Sequence, residues 1–204
     1  FSNIGSISDK LKILKLNSVL KKKKIAEIFI EKEKTTFNYL KDLGLSDKII
    51  DDFFTPFFTG IFLETKLETS SRMFEFVYKM FGEGLAVIPK NGIQAISDQL
   101  KNNLKNTTFL FDAKVKEVKD NHILLANNSE VKSHITIIAT EASHLISNLK
   151  NQELEWKTCE TLYFETEKRI INQPIIGLIA DKNALINNIF YSSSIETSSK
   201  NTKE

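Results

Sequence analysis

The chain has 204 residues, 41% of them apolar, and its 28 basic and 26 acidic side chains leave a net charge of +2. That length and composition suit one large or two small folded domains and exclude a disordered tail. So balanced a charge creates no overall field for nucleic acid or anionic lipid, and Arg72 and Arg169 are the only arginines available for forked recognition of phosphate or guanine, so no nucleic-acid partner is expected.

Cys159 is the single cysteine. It has no partner for an internal disulfide, which points to a reducing compartment, the cytoplasm. No run of 18 apolar residues occurs, so no spanning helix is expected. The sequence opens on Phe1 with no methionine and no signal-peptide pattern, and an interior piece of a longer protein is the expectation.

Taken in chain order, residues 6–20 carry Ile7, Leu11 and Leu14 at helical spacing behind Ser6 or Ser8 as a cap, which predicts an amphipathic helix. The lysines at 21–24 follow as a solvated helix end or loop and not a phosphate groove, since no aromatic residue is interleaved with them. Thr35 and Thr36 are placed to start a short helix closed by Gly44, and Ser46 starts another through Ile49 and Ile50 to Phe54.

Five phenylalanines stand at 53, 54, 57, 58 and 62. Such a cluster is most simply core. Pro56 and Gly60 argue against one continuous helix here, so aromatics on irregular backbone could instead wall an apolar pocket. A further helix starts at Thr69 or Ser70, shows a wide apolar face from Met73, Phe74, Phe76, Val77, Met80 and Phe81, and ends at Gly82.

Beyond Pro89 the pattern changes. Asn91 and Gly92 open a helix with Ile93, Ile96, Leu100 and Leu104 in register; then the period falls to two. TFLFD, KVKEV, HILLA and VKSHITIIAT read as strands, with turns at Asp120–Asn121 and Asn127–Asn128. ITIIAT is apolar on both faces, as a buried parallel strand would be. A short helix over residues 142–149, three strands (TCETLYFET, IIGLIA and INNIFYS) and a frayed polar tail complete the chain. The fold class is therefore α/β, or mixed α+β.

Isolated chemistry is thin. His122, His134 and His144 lack metal-ligand spacing, so no metal is expected. Ser143 beside His144 has no glycine-flanked nucleophile elbow. Cys159 has no visible base, and Gly82-Glu83-Gly84 lacks both the preceding strand and the third glycine of a dinucleotide fingerprint.

Read together, residues 51–100 resemble the middle of flavin-dependent amine oxidoreductases, in the branch similar to phytoene desaturase and protoporphyrinogen oxidase. The pieces are the phenylalanine-proline cluster at 53–58, the GIFL turn at 60–63, TSSR at 69–72, the small-residue run from Ala86 to Pro89 and the helix-opening Gly92. AKVKEV, ITIIAT and WKTCETLYFE continue the series; Ile93 departs from the methionine common in the family.

The resemblance implies a partial FAD/NAD(P)-binding, Rossmann-like domain at 91–145, the helical part of a substrate domain at 1–90, and substrate-domain strands with the polar tail at 146–204. It implies FAD as cofactor, with Val115, Ala139 and Thr140 as cofactor-binding residues. Phe57, Phe58, Phe62 and Trp156 are the implied substrate-pocket wall. Substrate hydride would pass to the flavin, from an amine or a hydrophobic C–C bond, while catalytic residues stay unassigned. The family's glycine-rich fingerprint is not among these residues, so this chain by itself is expected to hold FAD poorly and to be inactive.

Two alternatives stand beside that reading. One is a carotenoid-type desaturase or isomerase in peripheral contact with a membrane, so that the cytoplasmic protein would be membrane-associated. The other is a truncated, non-enzymatic homologue.

Overall fold

Side-chain caps set where the amino-terminal helices begin. Ser6 accepts from the Asp9 amide at 3.1 Å and starts α1 (Ile7–Lys22), with the Asp9 carboxylate reaching back to the Ser6 amide in a capping box. Lys24 precedes α2 (Ile25–Ile30). Thr35 caps α3 (Thr36–Asp42) through the Asn38 amide, and Ser46 caps α4 (Asp47–Ile49) through the Ile49 amide.

The computed structural model describes residues 4–142, 145–146, 155–181 and 183–195. They fall into two compact units, Phe1–Ser97 with Lys157–Glu204, and Asp98–Trp156.

In the first unit the backbone stays helical from Asp47 through Phe62, contrary to the break expected at Pro56. A π turn (Ile50–Phe54) leads into α5 (Thr55–Phe62) with Pro56 in its first turn. There the missing proline N–H costs little, and the wider π turn relieves the ring's clash with the preceding carbonyls. After α5, Leu63 adopts a left-handed φ of 53°. The Glu64 carboxylate then accepts from the amides of Lys66 (2.8 Å) and Thr69 (3.1 Å), folding the chain back. Residues 34–37 meet residues 67–71 through a short antiparallel bridge, Thr35 to Ser70, before α6 (Ser71–Glu83). Arg72 closes the junction by donating from Nε to the Glu31 carbonyl at 2.7 Å.

The core lies where α1, α3, α4, the π turn, α5 and α6 meet. Leu16, Leu20, Leu40, Leu45, Ile49, Ile50, Phe54, Phe58, Leu67 and Phe74 fill it. Phe74 is its aromatic hub, with ring centroids 4.8 Å from Phe58, 5.4 Å from Tyr78, 5.5 Å from Tyr39 and 6.0 Å from Phe54. Each such pair adds about 0.5–1.5 kcal/mol beyond the area it buries.

The face of α1 that packs inward carries Asp9, Ile13, Leu16 and Leu20. The stripe read from the sequence as its apolar face, Ile7, Leu11 and Leu14, is instead exposed. Apolar residues occupy two opposite faces of this helix, and the inner one is decided by packing. On α6, Glu75 and Lys79 are likewise buried although charged. Lys23 bridges Glu75 (2.5 Å) and Glu31 (2.6 Å), while Lys79 donates to the carbonyls of Leu20 (2.9 Å) and Lys21 (3.2 Å) and pairs with Glu83. Lys79 thus caps the last turn of α1 from a neighbouring helix.

No described residue after Lys79 is buried. In the second part of the first unit, β4 (Gly177–Leu178) and β5 (Asn188–Ile189) form a two-stranded ladder. Asn187 anchors it by donating to the Pro56 carbonyl at 2.9 Å. Gly60 makes this approach feasible, since a Cβ there would lie 2.8 Å from the Asn187 side-chain oxygen.

The division between units falls inside α7 (Gln94–Asn103), whose Ile96 and Leu100, like Leu104 beyond it, are exposed. The second unit holds an antiparallel meander of β1 (Val115–Lys119), β2 (His122–Leu125) and β3 (Glu130–Lys132) in that order. Its turns use Asn121 (φ 64°) and Asn128 (φ 65°), the asparagines the sequence singles out.

The fold class is mixed α/β, as read from the sequence. Its ladders among the described residues are all antiparallel. Residues 135–140, expected as a buried parallel strand, form no ladder, and Ile135 and Ile137 are exposed: an apolar run becomes a buried strand only where strands flank it. TFLFD and TCETLYFET also form no ladder. The helix expected over residues 142–149, with Ser143 and His144, falls largely outside the described residues.

Candidate functional site

Helices α5 and α6 carry the aromatic cluster. Phe53 and Phe57, one turn apart, stack with centroids 5.7 Å apart and planes at 10°; Phe57 then meets Phe81 edge-on at 5.4 Å. Phe58 has no exposed surface and packs on Phe74, while Phe62, half-buried, packs on Phe58 at 5.2 Å. Of the anticipated wall residues in this unit, Phe58 is therefore core and Phe57 and Phe62 lie at its edge. Trp156, in the other unit, is 67% exposed.

Beyond Phe81 the first unit opens into an apolar groove of about 250 Å³, bounded by Phe76, Val77, Met80, Phe81, Gly84 and Leu85. It forms because α6 stops at Gly84, whose extended backbone turns the chain alongside the helix's last two turns. The volume lies below the range of small-molecule pockets, roughly 300–1,000 Å³, and the groove is largely open to solvent. Sequence patterning assigns these side chains only to a helix face; the width of that apolar face, more than a single partner helix needs, is the signal that marks them.

A second recess, about 130 Å³, is bordered by Asn17, Leu20, Lys21, Tyr78, Lys79 and Glu83. Lys79 is fully engaged there with two carbonyls and Glu83, so it holds structure and offers no free amine.

Of the groups whose pKa is shifted, Asp9, Lys23, Tyr39, Glu64 and Tyr78, only Tyr78 borders one of these recesses. Burial would raise the Asp9 pKa, yet hydrogen bonds from Ser46 (amide 2.9 Å, hydroxyl 2.8 Å) and Ser6 (hydroxyl 2.7 Å, amide 2.8 Å) outweigh it and hold the carboxyl far below its usual range. Burial, followed by the hydrogen bond to Glu75, pushes the Tyr39 hydroxyl well above the ordinary phenol range. Burial alone raises Tyr78. For Lys23, burial lowers the pKa but the bonds to Glu31 and Glu75 more than offset it, and the net direction is up. None of these groups faces the apolar groove with a free acid or base.

In the second unit Val115 begins edge strand β1 opposite Leu125, beside a bulge between Val115 and Glu117. Ala139 and Thr140 are exposed and lie outside any strand, Thr140 at a bend. Cys159 is exposed and reaches only the Glu160 carbonyl, at 3.9 Å. Among the described residues no three His, Cys, Asp or Glu side chains stand together as metal ligands.

A helical bundle with an open apolar groove, together with an antiparallel meander carried by a separate unit, defines a mixed α/β protein whose groove presents apolar side chains and no acid–base group. The chain belongs to the family of flavin-containing amine oxidoreductases, which it matches over residues 6–195. No curated protein and no solved structure matches it.

A flavin nucleotide fits the residues present only in part. Val115 offers main-chain groups at a sheet edge, and Ala139 and Thr140 offer exposed backbone with small side chains, which suits the nucleoside end. A diphosphate needs close main-chain approach of the kind glycine allows. None of the seven glycines lies between Ile93 and Ile176, so the second unit has no glycine-lined cradle for it.

Proposed function

We propose that the protein is an FAD-dependent oxidoreductase that oxidises a lipophilic amine or an apolar C–C bond. The family match across residues 6–195 carries this reading. The groove beside Met80, Phe81 and Leu85 receives the apolar part of the substrate, with Phe57 supporting Phe81 from behind. Phe62 and Trp156 are further substrate-contacting candidates on their respective units, whereas Phe58 acts through the core. Val115, Ala139 and Thr140 serve the nucleoside end of FAD through backbone groups. The protein works in the cytoplasm. Two-electron chemistry of this class belongs to the cofactor; the chain contributes orientation and a dry surface.

The test is the visible absorption spectrum of the protein isolated as the cell makes it. A flavin band that bleaches anaerobically on adding a lipophilic amine or other apolar reductant supports the proposal. A colourless protein that takes up no added FAD contradicts it and leaves the non-enzymatic homologue as the reading.

A further inference from the structure

On α1, at 3.6 residues per turn, Ile7, Leu11 and Leu14 lie on one face, directly opposite the packed face of Asp9, Leu16 and Leu20. They are 79%, 62% and 63% exposed, far more than a helix facing water alone requires. Lysines border this stripe on both sides: Lys21 along one edge, beside a partly buried Lys10 that is already engaged, and Lys15 and Lys22 along the other. The helix's one acid, Asp9, is turned into the core and consumed by Ser6 and Ser46. Lys12, the remaining lysine of α1, points away to the Gly44 carbonyl.

We infer that this face of α1 docks the protein on an anionic phospholipid bilayer, lying in the plane of the interface. The three aliphatic side chains enter the boundary between headgroups and acyl chains. The lysines extend outward along their stems and meet lipid phosphate and carboxylate groups. Charge selects this occupant. A second copy of the chain would bring the same lysine borders against each other, and an uncharged apolar partner would leave Lys15, Lys21 and Lys22 without counterions. No helix among the described residues is long and apolar enough to cross a membrane, and in-plane docking needs none. The inference stands on α1 alone and does not depend on the redox reading.

Co-sedimentation with vesicles tests it, using phosphatidylcholine alone and phosphatidylcholine with added phosphatidylserine. The protein is expected to bind the mixed vesicles, to be released by salt, and to bind the neutral vesicles at least tenfold more weakly. Each of Lys15→Glu, Lys21→Glu and Lys22→Glu should weaken binding by about fivefold or more. Ile7→Ser with Leu11→Ser should also release the protein. All five positions are exposed, so thermal melting should be nearly unchanged and loss of binding cannot be ascribed to unfolding. Protein that stays in the supernatant with anionic vesicles overturns the inference. So does equal binding by the lysine variants, or a concentration-dependent dimer abolished by Ile7→Ser with Leu11→Ser.

Discussion

Asp9 is the residue whose loss the first unit should feel most for its size. One carboxylate holds the caps of two helices, α1 and α4, through two amides and two hydroxyls. Asp9→Ala is expected to cost about 2–4 kcal/mol, as two caps and a charge-assisted network are lost together; a denaturant titration reads this directly. The pH dependence follows from the depressed pKa. The unfolded carboxyl titrates near 3.9 and the folded one well below. The stabilisation is therefore complete above about pH 4 and lost as pH falls below it. Asp9→Asn should be less stable than wild type at neutral pH and should lose less stability on acidification; parallel acid titrations of the two would contradict the assignment. Gly60 makes a finer prediction. Gly60→Ala gains up to about 1 kcal/mol of helix propensity, but it displaces Asn187 from the Pro56 carbonyl. Global stability should hardly change while amide exchange at Gly177–Leu178 and Asn188–Ile189 quickens.

Among the elements, α6 presents two faces, one to the core and one to the groove, that substitutions should separate. Phe74 faces the core, and Phe74→Ala should destabilise by about 3–5 kcal/mol. Met80 lines the groove, and Met80→Trp should block apolar ligands with only a small effect on the melting temperature. How legible each element is depends on how local its cause is. Ser6, Thr35, Ser46 and Ser70 announce helix starts because a cap needs only the next three residues. The Asn121 and Asn128 turns are readable for the same reason. The inner face of α1 is not, because Ile7, Leu11 and Leu14 form as good a stripe as Ile13, Leu16 and Leu20 until Leu40, Ile49 and Phe74 are in place. Nor is the π turn that carries the helix past Pro56, which depends on the one extra residue enclosed by each i→i+5 ring and not on composition. The groove arises from α6 meeting the chain after Gly84, and spacing within α6 cannot reveal that encounter.

At the scale of the whole molecule, burial is uneven. The described residues with inaccessible side chains all lie between Asp9 and Lys79, and the meander β1–β3 is at most half-buried. Three short strands, none of whose residues is buried, are marginal on their own. Hydrogen exchange should therefore find the slow amides within α1 to α6, with β1 to β3 exchanging orders of magnitude faster in the absence of a ligand. The family match over residues 6–195 identifies the class of chemistry, and the proposal that the groove receives the substrate's apolar part is the step a measurement has to test. The most direct measurement of that account is anaerobic reduction of the bound flavin by a long-chain amine, followed by absorbance in the natural protein and its Met80→Trp variant. The account predicts bleaching in the first and at least tenfold slower bleaching at low amine in the second, with the same flavin content. Equal rates in the two proteins, or no reduction by any apolar donor, would contradict it.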